Sequence, residues 1–184
     1  MNVPPKTTRL EVWKITFARS SFIEVSEACS AMLRLAPSTP KVIISALSTS
    51  ALVLYARPFK QNSEVKLDKS LVPSEFTEFH EDIVLYRDRV VAHRDVKGPQ
   101  TPWGTANDVT FCWSGTSLEI NTDSPILERP AAEQLIALTS ILVRRMDELL
   151  DPLIQRHFPR PLAAGRYTLS LKGDDVEWLK KQSD

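Results

Sequence analysis

Residues 8–36 read TRLEVWKITFARSSFIEVSEACSAMLRLA, and the spacing of their apolar positions decides the fold class. Apolar side chains recur at alternating intervals of three and four, which places them on one face of an α-helix. Thr8 and Glu11 have the spacing of a capping box, and Pro37 is predicted to end the helix. Residues 10–17 also alternate as a strand would, but a strand leaves the longer repeat unexplained. The repeating positions are Ile15, Ala18, Phe22, Val25, Cys29, Met32 and Ala36.

Three further helices are predicted downstream. The second spans residues 40–57, with Thr39 as its N-cap, the third runs from residue 73 into the charged segment after Tyr86, and the fourth spans residues 130–151. The polar stretch 58–72 follows neither period and predicts a loop on the rim. The positions predicted to face the core are Ile43, Leu47, Ala51 and Leu54 in the second helix, Phe76, Phe79, Ile83, Tyr86 and Val90 in the third, and Ala131, Leu135, Leu138, Leu142 and Leu149 in the fourth.

Between the third and fourth helices the sequence changes from a helical to an alternating period. Val109–Trp113 and Leu118–Ile120 alternate around a Ser-Gly turn, which predicts a small β-hairpin. Two strands alone need a partner surface, so Trp103 and Trp113 are predicted to pack the hairpin onto the helices. Stacking of these tryptophans on a nucleic-acid base is the alternative.

Together these elements predict a mainly α protein. The expected fold is an antiparallel, up-and-down bundle of about four helices over residues 1–158, with the hairpin inserted between the third and fourth helices. Residues 159–184 form a C-terminal tail in this prediction, with a strand over residues 167–171.

Composition limits the class of partner. The chain carries 23 Lys and Arg against 23 Asp and Glu, so nucleic-acid binding must come from a local patch rather than from the whole surface. Cys29 and Cys112 stand among apolar neighbours without metal-ligand spacing, which predicts buried thiols in a reducing compartment and no metal site. No phosphate-binding glycine motif occurs in the sequence, and no cofactor is predicted.

The sequence predicts a cytoplasmic protein with no membrane partner. Residues 1–6 lack the apolar stretch of a signal peptide. The run Val42–Ala56 is short, contains several hydroxyl side chains and lies between Lys41 and Arg57. These features favour a buried helix over a membrane span.

Residues 86–95 read YRDRVVAHRD and lie at the end of the third predicted helix. A core helix has no packing reason to carry a guanidinium and an imidazole at this place. Arg87 can neutralise a phosphate, and His93 can move a proton near neutral pH. These are the two chemical parts needed to cleave RNA without a metal ion.

This stretch resembles the signature of the HEPN superfamily, in which an arginine is followed at once by a polar residue and, a few residues later, by a histidine often preceded by alanine. Arg87, Asp88 and His93 match those positions, and the upstream His80 is in keeping with the family. The resemblance implies a dimeric helical bundle and metal-independent cleavage of RNA, in which His93 moves protons and Arg87 stabilises the phosphorane. It also implies a cyclic-phosphate product and a toxin or phage-defence role, with a cognate antitoxin or nucleotidyltransferase as partner.

Other side chains are expected to assist this site. Asp88 is predicted to orient Arg87 or the substrate, and Arg89 and Arg94 are predicted to contact phosphates. His80 stands seven positions before Arg87 and shares its helix face, which makes it an auxiliary candidate. The alternative prediction for His80 is a lone surface histidine.

The spacing of the motif predicts that two chains build one site. Six positions separate Arg87 from His93, which is about 240° around a helix, so one chain does not aim both side chains at one point. Across a two-fold axis, Arg87 of one subunit can meet His93 of the other. The sequence therefore predicts a homodimer with a composite cleft.

Interpretations without catalysis remain open. His93 continues the apolar stripe of the third helix, and a core or interface histidine at a helix C-terminus is favoured by the helix dipole. A solvated face whose charges pair with one another is the corresponding interpretation of Arg87, Asp88, Arg89, Arg94 and Asp95. In that case the protein is a catalytically silent helical module whose cleft binds a partner protein, a nucleotide or RNA.

Overall fold

A computed structural model of the chain describes residues 5–60, 66–88, 109–122, 126–157, 167–169 and 179–181. Within these residues the protein is mainly helical, with short antiparallel strand pairs, and the predicted mainly α class is confirmed. The helices are α1 (Lys6–Leu33), α2 (Lys41–Ala56), α3 (Thr77–Tyr86) and α4 (Arg129–His157). The strands are β1 (Val109–Trp113), β2 (Leu118–Thr122), β3 (Tyr167–Leu169) and β4 (Leu179–Lys181).

Helices α1 and α4 lie side by side and antiparallel. At one end of the pair, the Arg129 guanidinium at the start of α4 donates to the Leu33 carbonyl at the end of α1 (3.4 Å). Further back along α1, the Arg19 guanidinium donates to both carboxylate oxygens of Asp147 at 2.5 and 3.4 Å. Both contacts are partly solvated and add little stability, so the buried apolar faces hold the two helices together.

Helix α2 also runs antiparallel to α1. Ser48 of α2 contacts both α1 and the residues that immediately precede α4. The Ser48 hydroxyl donates to the Met32 sulfur of α1 (3.2 Å) and accepts the Leu127 amide (3.0 Å). Towards the other end of the pair, the rings of Phe22 and Tyr55 lie 6.1 Å apart. Because a buried amide needs an acceptor, this core serine is required by the backbone that leads into α4.

The apolar face of α1 is the one predicted from its sequence, but its ends differ from the prediction. Helix α1 begins at Lys6, so Thr8 lies inside it and does not cap it. The helix ends at Leu33, and Ala36 is exposed beyond it. Proline occupies the N-cap of both α1 and α2 and offers no side-chain acceptor to the first amides of either helix, so Thr39 is not the N-cap that the sequence predicted. The predicted positions that are buried are Ile15, Ala18, Phe22, Val25, Cys29 and Met32.

The buried face of α2 is turned relative to the prediction. Ile43 is exposed, and Leu47 and Leu54 are half-buried. Nearly every position of this helix is apolar or carries a hydroxyl, so the apolar period alone cannot select its inner face. The positions that are buried are Ser48, Ala51, Leu52, Tyr55 and Ala56.

The prediction that α4 stops before Pro152 is wrong, since the helix continues to His157. Leu149 is exposed rather than part of the core, and Met146 is buried in its place. The turns around Pro152 are largely solvated, so the carbonyl that loses its amide partner there meets water. A proline is therefore tolerated near the end of this helix.

Helix α3 follows the prediction more closely. A short 3-10 helix, Ser74–Phe76, leads into it, and Phe79, Ile83 and Tyr86 are buried as expected. Val90, the last predicted position of the stripe, lies outside the described residues. The third helix thus brings its charged C-terminal end to the edge of the core.

The predicted hairpin is confirmed as β1 and β2, but its packing is not. Gly115 has a φ of 93° in the turn, a backbone conformation that favours glycine. Trp113 and Cys112 are exposed, so the predictions that Trp113 packs onto the helices and that Cys112 is buried are wrong. Trp103 lies outside the described residues.

One stretch of the described residues, Lys41–Phe59, is long and apolar enough to cross a membrane by length and composition. A core helix of a soluble protein passes the same test. Within this stretch, Leu52, Tyr55 and Ala56 are fully buried against the other helices.

Candidate functional site

Arg87 and Asp88 follow α3 directly and are the part of the predicted motif that the structure describes. Arg87 keeps helical backbone angles, and its amide donates to the Ile83 and Val84 carbonyls, so the helical path continues into the motif. Arg89, His93 and Arg94 lie outside the described residues, so their place in the site stays a prediction.

The Asp88 carboxylate links two cations. One of its oxygens accepts from the Arg87 guanidinium (3.0 Å), and the other accepts from the Lys60 ammonium. All three side chains are partly buried. Charges held in such a setting interact more strongly than charges on an open surface.

Asp88 is ionised near neutral pH. Burial by itself would raise its pKa, but hydrogen bonds from Lys60 and Arg87, together with their positive charges, outweigh burial and lower the pKa of Asp88 below its ordinary value. An ionised carboxylate cannot donate a proton, so it is unsuited to act as a general acid. Its contacts fit the role of orienting Arg87.

The Nε atom of Arg87 is buried and has no hydrogen-bond partner among the described residues. A buried donor without an acceptor costs free energy, and each such group calls for an explanation. Because this atom is shielded, a bound anion would contact the rest of the guanidinium, whose side chain is 27% exposed and which is suited to bidentate phosphate binding.

Lys60 reaches Asp88 from the segment that follows α2. The 3-10 helix Arg57–Phe59 ends directly before Lys60, and the Phe59 ring packs edge-on against the His80 ring of α3 with centroids 4.6 Å apart. Core packing beneath α3 therefore fixes the start of the segment from which Lys60 projects. The position of Arg87 therefore depends on α3, which carries Asp88 at its end, and on the 3-10 helix that precedes Lys60.

His80 is a core residue and not the surface histidine of the alternative prediction. Its side chain is only 2% exposed, and its Nδ1 atom lies 2.8 Å from the Tyr55 hydroxyl. Burial lowers the pKa of His80 to about 4; nearby Lys69 adds to this shift and Glu81 opposes it. The ring is therefore neutral near pH 7, and its Nδ1 atom can accept a hydrogen bond from the Tyr55 hydroxyl.

The burial of His80 changes what it can contribute to a site. A ring inside the core cannot contact a bound nucleic acid in this conformation. Its route to the motif is indirect, through its contact with Phe59 and the neighbouring Lys60. The structure therefore brings together Arg87, Asp88 and Lys60, and it places His80 beneath them as a packing residue.

Sequence reasoning did not find Lys60 or Tyr55. Lys60 stands 28 positions before its partner Asp88, in a polar stretch that resembles any solvated loop. Tyr55 lies in a helix of nearly uniform hydrophobicity, 25 positions before His80. Neither position carries a periodic or motif signal.

A groove of about 310 Å³ lies between α1 and α4 but is separate from the motif. Its hydroxyl groups on α4, those of Thr139 and Ser140, already donate to carbonyls of their own helix. Among the residues that the structure describes, no group of three or more His, Cys, Asp and Glu side chains could hold a metal ion. The groove is lined by Ile23, Ser26, Glu27, Thr139, Ser140 and Val143.

Comparison of the chain with protein-family models, with curated proteins and with solved structures gave no match. Function has to be inferred from the chain's own residues and contacts.

Proposed function

We propose that the protein is a metal-independent endoribonuclease of HEPN type that acts as a homodimer. The observation that carries this proposal is Arg87, held by the ionised Asp88 at the end of α3, with 27% of its side chain exposed to solvent. The mainly α fold and the antiparallel packing of α1 with its neighbours support an HEPN-like bundle. The position of the motif at a helix end supports it as well.

In the proposed reaction, the 2'-hydroxyl of RNA attacks the adjacent phosphorus while His93 accepts its proton. The bond from phosphorus to the 5'-oxygen breaks, and a second His93 from the partner subunit protonates that leaving oxygen. Arg87 stabilises the negative charge on the phosphorane oxygens, and Asp88 keeps its guanidinium oriented. Arg89 and Arg94 bind neighbouring phosphates. The products are a 2',3'-cyclic phosphate and a free 5'-hydroxyl.

The proposed dimer interface includes α3. Leu85, one position before the buried Tyr86 and two before Arg87, is exposed on this helix. An apolar side chain beside the motif supports packing of two motif helices across a two-fold axis. Such a dimer has twice the 20.8 kDa mass of the chain. A toxin or phage-defence role in the cytoplasm, with an antitoxin or nucleotidyltransferase partner, belongs to the same proposal.

RNA cleavage by the purified protein is expected to persist in excess EDTA, because a guanidinium and an imidazole supply the charge stabilisation and proton transfer that a metal ion otherwise provides. The measurement is gel analysis of end-labelled RNA with and without the chelator, with the 3'-end of the product identified as a cyclic phosphate. An RNA that carries a 2'-deoxy group at the cleaved position is the matched control and should remain intact. Cleavage restored only by divalent ions would contradict the mechanism.

Lys60→Met is expected to slow cleavage by about five-fold, since one partly buried ion pair contributes about 1 kcal/mol and Asp88 would keep only Arg87 as a partner. Lys66→Met, an exposed change in the same segment, is the control and should leave the rate unchanged. Equal cleavage rates for both variants would show that Lys60 does not contribute to the position of Asp88 and Arg87.

A catalytically silent module that binds a partner protein, a nucleotide or RNA is the second candidate function. It is favoured by the pairing of Lys60 and Arg87 with Asp88, because these charges partly neutralise one another without any ligand. A wild-type protein that binds RNA but cleaves none, over a broad set of sequences, would select this function over the first.

A further inference from the structure

The hairpin of β1 and β2 presents an apolar face at the protein surface. Phe111 is paired with Ile120, and Trp113 is paired with Leu118. Side chains alternate along a strand, and directly paired residues point to the same side, so these four side chains share one face. They are 64%, 57%, 67% and 53% exposed, respectively.

This face is large enough to need a cover. Four large apolar side chains with more than half of their surface exposed present roughly 400–500 Å² of apolar area, which is in the range of the largest patch on a typical monomer. A two-stranded hairpin is marginally stable by itself. None of the helical residues that the structure describes removes this face from water.

The charge of the surrounding sequence argues against a nucleic acid as the cover. Residues 98–128 contain no Lys or Arg, whereas they contain Asp108, Glu119, Asp123 and Glu128. A phosphate backbone would be repelled by this stretch. Glu119 is paired with Cys112 in the strand register and so lies on the opposite face, which leaves the apolar face free of charge.

We propose that the hairpin face of Phe111, Trp113, Leu118 and Ile120 stacks on the same face of a second copy of this chain. An uncharged face can meet its own copy across a two-fold axis without like-charge contacts, and each copy then covers the other. Packed sheets lie about 10 Å apart with interdigitating side chains, which these residues provide. The interface goes beyond the proposed function, because it would hold equally for a catalytically silent module. In the proposed ribonuclease it shares one two-fold axis with the α3 contact, so wild type is a dimer that the α3 contact alone does not hold.

The area sets the size of the interface. A standard interface buries about 800 Å² on each partner, and the four side chains by themselves supply roughly half of it, which places this contact among the smaller dimer interfaces. Its two aromatic side chains, Phe111 and Trp113 on β1, are of the type that dominates interface energetics.

The first test compares the mass of three full-length proteins by light scattering at micromolar concentration. Wild type and the double variant Cys112→Ser/Glu119→Gln, altered on the opposite face, are expected at twice 20.8 kDa. Phe111→Ser/Trp113→Ser is expected at the mass of one chain. Circular dichroism should show unchanged helix content and thermal midpoint, because these exposed side chains lie outside the helical core.

A second measurement keeps the apolar face intact and locates the contact. Cys29 is buried and its pKa is raised by burial to about 11, so a thiol-directed spin label reacts with exposed Cys112. Stacked hairpins are expected to give one label-to-label distance below about 30 Å, since packed sheets lie about 10 Å apart and each label adds its own length.

Three results would overturn the inference. The first is a wild-type protein with the mass of one chain. This includes the case in which RNA, rather than a second copy, binds the hairpin face and shields Trp113 from solvent. The second is a Phe111→Ser/Trp113→Ser protein that remains a folded dimer, which would leave the motif-helix dimer standing without the hairpin. The third is a dimer whose Cys112 labels lie beyond that range. The ribonuclease proposal is tested separately by cleavage, so its failure leaves the mass and distance results unaffected.

Discussion

Arg87→Ala is expected to lower the rate of RNA cleavage by two to three orders of magnitude while leaving the thermal unfolding midpoint nearly unchanged. The guanidinium is the proposed stabiliser of the phosphorane, and removing such a donor costs about 10²–10³ in rate. Its loss should cost little stability, because its hydrogen-bond partner among the described residues is the neighbouring Asp88, which keeps Lys60 as a partner. The measurement is cleavage and thermal unfolding on the same purified samples.

Two controls sharpen this experiment. Arg87→Lys should recover little activity, because an ammonium lacks the planar fork that binds two phosphate oxygens. Arg129→Ala, which removes an exposed arginine paired with Glu133 at the start of α4, should cleave at the wild-type rate. Full cleavage by Arg87→Ala would exclude this residue from catalysis.

His93→Ala belongs to the same experiment and is expected to remove two to four orders of magnitude of rate, since it deletes the proton carrier. A mixture of Arg87→Ala and His93→Ala chains should regain little activity, because each mixed dimer holds a single His93 whereas the proposed reaction uses one His93 as base and the other as acid. A His93→Ala protein that cleaves fully but melts earlier would assign His93 to the interface or core instead.

The free energy of unfolding is expected to fall by about 2 kcal/mol between pH 7 and pH 5 through His80 alone. The folded-state pKa of about 4 lies below the unfolded value of 6.5, so the unfolded chain binds the proton first. Stability is therefore fully present above pH 6.5 and is lost as the pH falls towards 4. His80 is only 2% exposed, so water solvates its protonated ring poorly.

Urea unfolding of wild type and His80→Asn at pH 7, 6 and 5 measures this effect. The asparagine Oδ1 atom can replace Nδ1 as the acceptor for the Tyr55 hydroxyl but does not titrate, so the difference between the two proteins should shrink as the pH falls. His157→Gln, at the half-exposed end of α4, is the matched control. Parallel curves for wild type and His80→Asn would assign the acid sensitivity to other groups.

The sequence predicted the elements whose pattern is local. In α1, charged and polar residues separate the apolar positions, so the helical period identifies the inner face without knowledge of the partners. Arg87 and Asp88 are adjacent, so their pairing also needs no tertiary information. The alternation of β1 and β2 around a Ser-Gly turn is local in the same sense.

The features that depend on distant contacts were not predictable. Ser48 is buried because the Leu127 amide needs an acceptor, and nothing near Ser48 in the sequence indicates that need. Lys60 meets Asp88, and Tyr55 meets His80, through packing of α2 against α3. The alternation of apolar residues in the hairpin does not indicate which surface its apolar face contacts. The prediction that Trp113 packs onto the helices was therefore wrong.

The pairing of α1 with α4 has a consequence for how the chain folds. Arg19 and Asp147 are 128 positions apart. The contact between α1 and α4 therefore requires closure of a long loop, and the entropy cost of that closure comes before any apolar surface is buried. We expect folding to be slower than in helical proteins whose neighbours are consecutive. During synthesis, α1 and α2 leave the ribosome well before α4, with the α4-facing surface of α1 still open to water. Chaperone binding to the nascent chain would protect that surface until the last helix arrives.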